Sequence, residues 1–83
     1  MNEVFLIGKV ISEIEFKFII NSKHKKSVVK FMLKTEDRQK IKIIAYNEKA
    51  DYIYQHIKQN DFITIEGKIR DNFIEIEEIN FLQ

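Results

Sequence analysis

The chain has 83 residues, 45% of them hydrophobic, with two glycines and no proline, cysteine or tryptophan. That length allows one domain, spanning 1–83, whose core must form without disulfides or cysteine-held zinc. No run approaches the ~20 apolar residues of a membrane-spanning helix, and no secretory leader is visible, so a cytoplasmic protein without membrane attachment is expected.

The net charge of +1 hides an asymmetry. Residues 1–42 carry ten Lys or Arg against five Asp or Glu, whereas residues 43–83 carry four against eight. A fold that separates the halves presents a basic face suited to a polyanion and an acidic side suited to protein docking. The plainer alternative is a mixed Lys/Glu coat that keeps a small domain soluble.

Residues 3–20 are rich in Val, Ile and Phe and read as one long first strand, apolar on both faces at its start. Gly8 interrupts it, where a bend, a bulge or a close backbone approach is expected. From Glu13 the period is two: Ile14, Phe16 and Phe18 against Glu15 and Lys17. Residues 21–27 are a polar loop. Residues 28–35 form the second strand, with Val29, Phe31 and Leu33 inward and Lys30 and Lys34 outward. Glu36-Asp37 turns the chain. Residues 38–46 form the third strand, with Ile41, Ile43 and Ala45 inward and Lys40, Lys42 and Tyr46 outward.

The period then changes to helical. Asn47 is placed to cap a helix over about Glu48–Gln59, with Ala50, Ile53, Tyr54 and Ile57 on one stripe. Asn60 suits the left-handed residue that closes it. Residues 61–70 and 73–81 are the last two strands, joined by Asp71-Asn72. Ile74 and Ile76 share one parity but Ile79 and Phe81 the other, so either a bulge lies near Glu77-Glu78 or both faces are covered there. Five antiparallel strands with one short helix cannot cover an open sheet. Closing it into a barrel, with the helix plugging one end between strands three and four, removes the free edges. The expected fold is therefore all-β, a five-stranded OB-fold barrel.

In this order the segments resemble the bacterial single-stranded-DNA-binding protein family from end to end. Asn2-Glu3-Val4-Phe5-Leu6-Ile7-Gly8-Lys9-Val10 is similar to its N-x-V-x-L-[IV]-G-x-[LV] start. Glu15-Phe16-Lys17-Phe18, Phe31-Met32-Leu33, Ile43-Ile44-Ala45-Tyr46 and Ala50-Asp51 follow in register. Asn60 to Ile69 resembles G-S-x-V-x-[IV]-E-G-x-[LI]. The resemblance implies sequence-nonspecific binding of single-stranded DNA, with RNA as the alternative, in replication or recombination. Bases would stack on aromatics while Lys and Arg hold phosphates. It places Tyr46 at a stacking position and Lys42 at a basic one.

Strand parity and the resemblance select one surface: Lys30, Lys34, Lys40, Lys42 and Tyr46, with Lys23, Lys25 and Lys26 in the first loop. Tyr46 is either a stacking platform or a strand-end aromatic covering the helix start. Lys40 and Lys42 either contact phosphates or solubilise an exposed strand. The family pairs first strands between subunits, which implies a homodimer or homotetramer with Val4 and Leu6 at the interface. The chain departs from the family in lacking its tryptophans, one of which would fall at Lys40, and its long hairpin loops. The 83 residues hold no acidic tail of the kind by which the family recruits partners; if Gln83 is the natural end, recruitment of that kind is not expected. The missing tryptophans favour the competing reading, an OB-fold assembly subunit with little nucleic-acid affinity, whereas Tyr46 and the basic face of strands two and three favour DNA binding. His24 and His56 lack companions for a metal site, and no nucleophile or phosphate-cradling motif is present, so neither catalysis nor a cofactor is expected.

Overall fold

The computed structural model describes residues 2–82. In chain order it contains β1 (Glu3–Val10), β2 (Glu15–Ile20), β3 (Lys25–Thr35), β4 (Lys40–Tyr46), α1 (Glu48–His56), β5 (Phe62–Ile69) and β6 (Ile74–Phe81).

The first apolar run is two strands, not one. It breaks at residues 11–14, where a side chain replaces a strand neighbour. The Ser12 hydroxyl accepts a hydrogen bond from the Met32 N–H at 2.8 Å, and the Ile11 N–H donates to the Met32 carbonyl at 2.9 Å. On either side of the break, Gly8–Val10 oppose Leu33–Thr35 and β2 opposes Lys25–Lys30. The helix therefore lies between the fourth and fifth strands, not between the third and fourth.

The barrel itself is a closed ring of five strands: β1 pairs β5, β5 pairs β6, β6 pairs β4, β4 pairs β3, and β3 returns to β1. The outlying β2 pairs β3 beyond the ring. The ring is mixed rather than wholly antiparallel. After α1 the β5–β6 hairpin folds back so that β6 lies between β5 and β4, parallel to β4 through Ile43–Ile74 and Ile44–Glu75.

Alternation fills the interior. Val29, Phe31 and Leu33 of β3, Ile43 and Ala45 of β4, and Ile63 and Ile65 of β5 are all buried. Ala50 and Ile53 of α1, with Ile57 just beyond it, close one end of the barrel. Tyr54 leaves that stripe: its ring stacks on Phe16 with centroids 4.5 Å apart and remains 57% exposed. The parity change in the last strand is a bulge, because Glu66 pairs Glu78 while Gly67 pairs Ile76. Ile74, Ile76 and Ile79 are all buried as a result.

Gly8 lies where β1, still paired with β5, begins to pair with β3 as well, and a methyl group there would stand 2.5 Å from the Lys34 carbonyl oxygen. Close backbone approach is what the glycine permits. Asn60 takes the left-handed conformation expected, at φ 82°, and its N–H bonds the Val10 carbonyl. The helix ends at His56, three residues short of expectation, since Ile57 is already extended. Asn47 precedes the helix but makes no side-chain cap. At φ 56° it turns the chain instead, with its N–H donating to the Ser27 carbonyl at 2.8 Å and its carbonyl accepting from the Ser27 hydroxyl at 3.1 Å. No helix among the described residues is long and apolar enough to cross a membrane.

Candidate nucleic-acid interface

Pairing registers place the side chains of the outer β3–β4 face in rows. Lys9 of β1 stands beside Lys34 of β3, and Lys34 beside Lys40 of β4. Next comes Met32 beside Lys42, then Glu15, Lys30 and Ile44 across β2, β3 and β4. The row after that is Lys17, Val28 and Tyr46, and the last holds Ile19 beside Lys26. Lys34, Lys40 and Lys42 are exposed, whereas Lys30 and Tyr46 are half-buried.

Like charges directly opposite one another on a sheet repel. The Lys9–Lys34–Lys40 row sets three of them across adjacent strands. Among the described residues the ion pairs are Lys49–Glu78, Lys68–Glu77 and Arg70–Glu75, so no carboxylate pairs with that row. A polyanion laid across it would relieve the repulsion. Lys30 differs, because Glu15 is its cross-strand neighbour.

Tyr46 ends β4 with its hydroxyphenyl ring on this face. The Lys26 Nζ lies 4.2 Å from the ring centroid, a cation–π contact that orients both groups. Lys26 and Lys25 belong to β3, not to a loop. Only residues 21–24 turn between β2 and β3, and every residue from Lys17 to Lys26 is exposed, so the hairpin projects from the barrel. Lys23 sits in the turn, where its N–H donates to Asn21 Oδ1 at 3.0 Å. Lys25 takes the opposite face of the hairpin from Lys26, sharing parity with Ser27.

Acidic side chains gather elsewhere. Glu66 and Glu78 oppose each other across β5 and β6, Glu77 is the extra residue of the bulge, and Glu75 opposes Lys68. A hydrogen bond with Glu77 is the main reason that the Glu3 carboxyl titrates above its ordinary range; desolvation and the Glu77 charge add to it, while Lys68 pulls the other way. The charge asymmetry of the sequence thus becomes two regions of surface.

Sequence reading missed Lys9 and Lys17. Both have the outward parity of their strands, but only the pairing of β1 and β2 with β3 brings them beside Lys34 and Val28. Val4 and Leu6, expected at a subunit interface, face inward and pack against the core. The outward apolar residues of β1 are Phe5, 59% exposed, and Ile7, 46% exposed. Because β3 meets only Gly8–Val10, the segment from Glu3 to Ile7 pairs β5 on one side and, among the described residues, has no strand on the other. No group of His, Asp or Glu among the described residues is arranged to hold a metal ion.

Comparison with solved structures finds the same barrel. The SSB domain of a Synechococcus sp. protein matches with a TM-score of 0.84 at 14% identity, over 95% of this chain and 93% of that one. Wild-type single-stranded DNA binding protein from Thermus aquaticus matches at 0.85 and 17% identity, and a deletion mutant of it at 0.86 and 18%. Both are covered over the whole of this chain, which spans only 41% and 42% of their lengths. None of the curated proteins matches significantly. At such identities these likenesses speak for the fold, and a sequence-level match is needed for the family. The model of the Single-strand binding protein family supplies it, matching residues 1–80, and the chain belongs to that family.

Proposed function

We propose that the outer β3–β4 face binds single-stranded DNA without sequence preference, as a non-catalytic step in replication or recombination. The carrying observation is the unpaired row Lys9–Lys34–Lys40, continued by Lys42 and ending at Tyr46. Phosphates would follow the lysines and a base would stack on Tyr46. That division of labour needs no base-edge contacts, because every base has a π-face and every nucleotide a phosphate. Lys30, neighboured by Glu15, contributes less than Lys34, Lys40 or Lys42.

Self-association belongs to the same reading. The free edge of Glu3–Ile7, with Phe5 and Ile7 outward, suits antiparallel pairing with a second copy, giving a homodimer or homotetramer that extends the DNA path. A cytoplasmic location, alongside replication proteins, is where such a protein would act.

Fluorescence anisotropy with labelled oligo-dT tests the reading. Micromolar or tighter binding at low salt, weakening steeply as salt rises, is expected. No binding at micromolar protein and low salt would replace it with the assembly-subunit reading, in which the exposed Phe5 and Ile7 engage protein alone.

A further inference from the structure

We infer that the cleft between the tip of the β2–β3 hairpin and Asn47 is a phosphate subsite beside Tyr46, and that His24 strengthens it in mild acid. The inference rests on the single-strand-binding reading and adds a site and a pH dependence to it.

The cleft has a volume of about 430 Å³ and is lined by Ile19, Asn21, His24, Lys25, Lys26 and Asn47. Both walls are held. At the tip, Asn21 Oδ1 accepts the N–H groups of Lys23 and His24 at 3.0 and 2.8 Å, and the Asn21 N–H donates to the His24 carbonyl at 2.9 Å. Such a side-chain-closed turn has a defined shape, unlike a free polar loop. Opposite, Asn47 is tied at both backbone groups to Ser27.

Lys25, Lys26 and His24 all line the cleft, and no Asp or Glu is among its lining residues. From β3 come Lys25 and Lys26, from the turn His24 with Lys23 next to it, and from the α1 side the neutral Asn47, followed along the chain by Glu48. The cleft adjoins the stacking position through Lys26, which lines it and whose ammonium lies over the Tyr46 ring. A strand stacked on Tyr46 therefore has a cationic recess for the next phosphate.

Imidazole is the side chain whose ordinary titration falls near pH 6.5. A bound phosphodiester, being an anion, favours the imidazolium form of a neighbouring imidazole. Binding and proton uptake are then linked, and each strengthens the other.

The test is oligo-dT affinity across a salt series at pH 5.5 and pH 8, at matched ionic strength. Wild type is expected to bind several-fold tighter at pH 5.5, with a salt slope steeper by about 0.7, the increment for one more phosphate contact on a single strand. In His24→Gln the ratio of the affinities at pH 5.5 and pH 8 should fall to near one, and the extra salt slope at pH 5.5 should vanish. His56→Gln, altering the helix histidine that packs on Tyr52, should retain it. Lys25→Ala should weaken binding at both pH values. Equal slopes in wild type, or an increment surviving His24→Gln, would overturn the subsite while leaving the β3–β4 face intact. Absence of binding at both pH values would overturn the single-strand reading and the subsite with it.

Discussion

The ammonium of Lys26 lies 4.2 Å from the centre of the Tyr46 ring, joining the hairpin to the end of β4. A base that stacks on Tyr46 either uses the ring's other face or displaces Lys26 toward a phosphate. Tyr46→Ala should therefore weaken oligo-dT binding by about 1–3 kcal/mol, the usual worth of one base–aromatic stack. Tyr46→Phe should bind nearly as wild type, because the ring rather than the hydroxyl does the stacking. Unchanged affinity in Tyr46→Ala would place the bases elsewhere.

The lysine rows predict a different signature. Replacing Lys40 and Lys42 together by Ala should reduce the salt slope of binding by about 1.4, if each holds one phosphate of a single strand. Lys9→Ala should reduce it further, although Lys9 is distant in sequence from both. Relieved repulsion within the Lys9–Lys34–Lys40 row should leave thermal stability equal or slightly raised. A slope that does not change would make these side chains solubilising only.

Self-association is carried by the outward residues of β1. Phe5→Glu or Ile7→Glu should shift light-scattering mass toward the monomer without unfolding, since both side chains are exposed. Leu6→Ala should instead cost stability, because Leu6 packs against the core. A wild-type monomer at every concentration would remove the oligomer from the proposal.

Gly8 is a packing constraint. An added methyl would press on the Lys34 carbonyl oxygen, a backbone atom that cannot rotate away. Gly8→Ala should lower stability by about 1–3 kcal/mol, as overpacking does, visible as a drop in Tm.

The Glu3–Glu77 pair predicts a pH effect of known sign. A carboxyl whose folded-state pKa is raised binds its proton more tightly when folded. Its favourable contribution is present below the unfolded pKa and is lost as pH rises through the folded one. Glu3→Gln should thus melt at or slightly above the wild-type temperature at pH 7, with the advantage vanishing toward pH 4. The group is exposed, so the shift should be small.

The periods of two and 3.6 were legible because they record which residues need burial. They placed the inward residues of β3, β4 and β5, the helix, the bulge of β6 and the outward set from Lys30 to Tyr46. Asn60 and Gly8 were legible for a related reason, each being a residue type suited to a particular backbone demand. The break at residues 11–14 was not, because it depends on Ser12 reaching Met32, some twenty residues away. Nor was the turn that Asn47 makes in place of the expected cap, since its backbone partners lie in β3.

What the sequence by itself determined was the alternating faces of the strands, the one helix ahead of a final pair of strands and the family resemblance, all of which follow from short-range periodicity and local residue choice. Only tertiary structure decided which strands lie side by side. Barrel closure set Lys9 against Lys34 and Lys40, parallel pairing put β6 beside β4, and the free edge of β1 fell at Glu3–Ile7. Register is a long-range property: it is fixed when whole strands settle their inward faces against one core, and no single segment carries it.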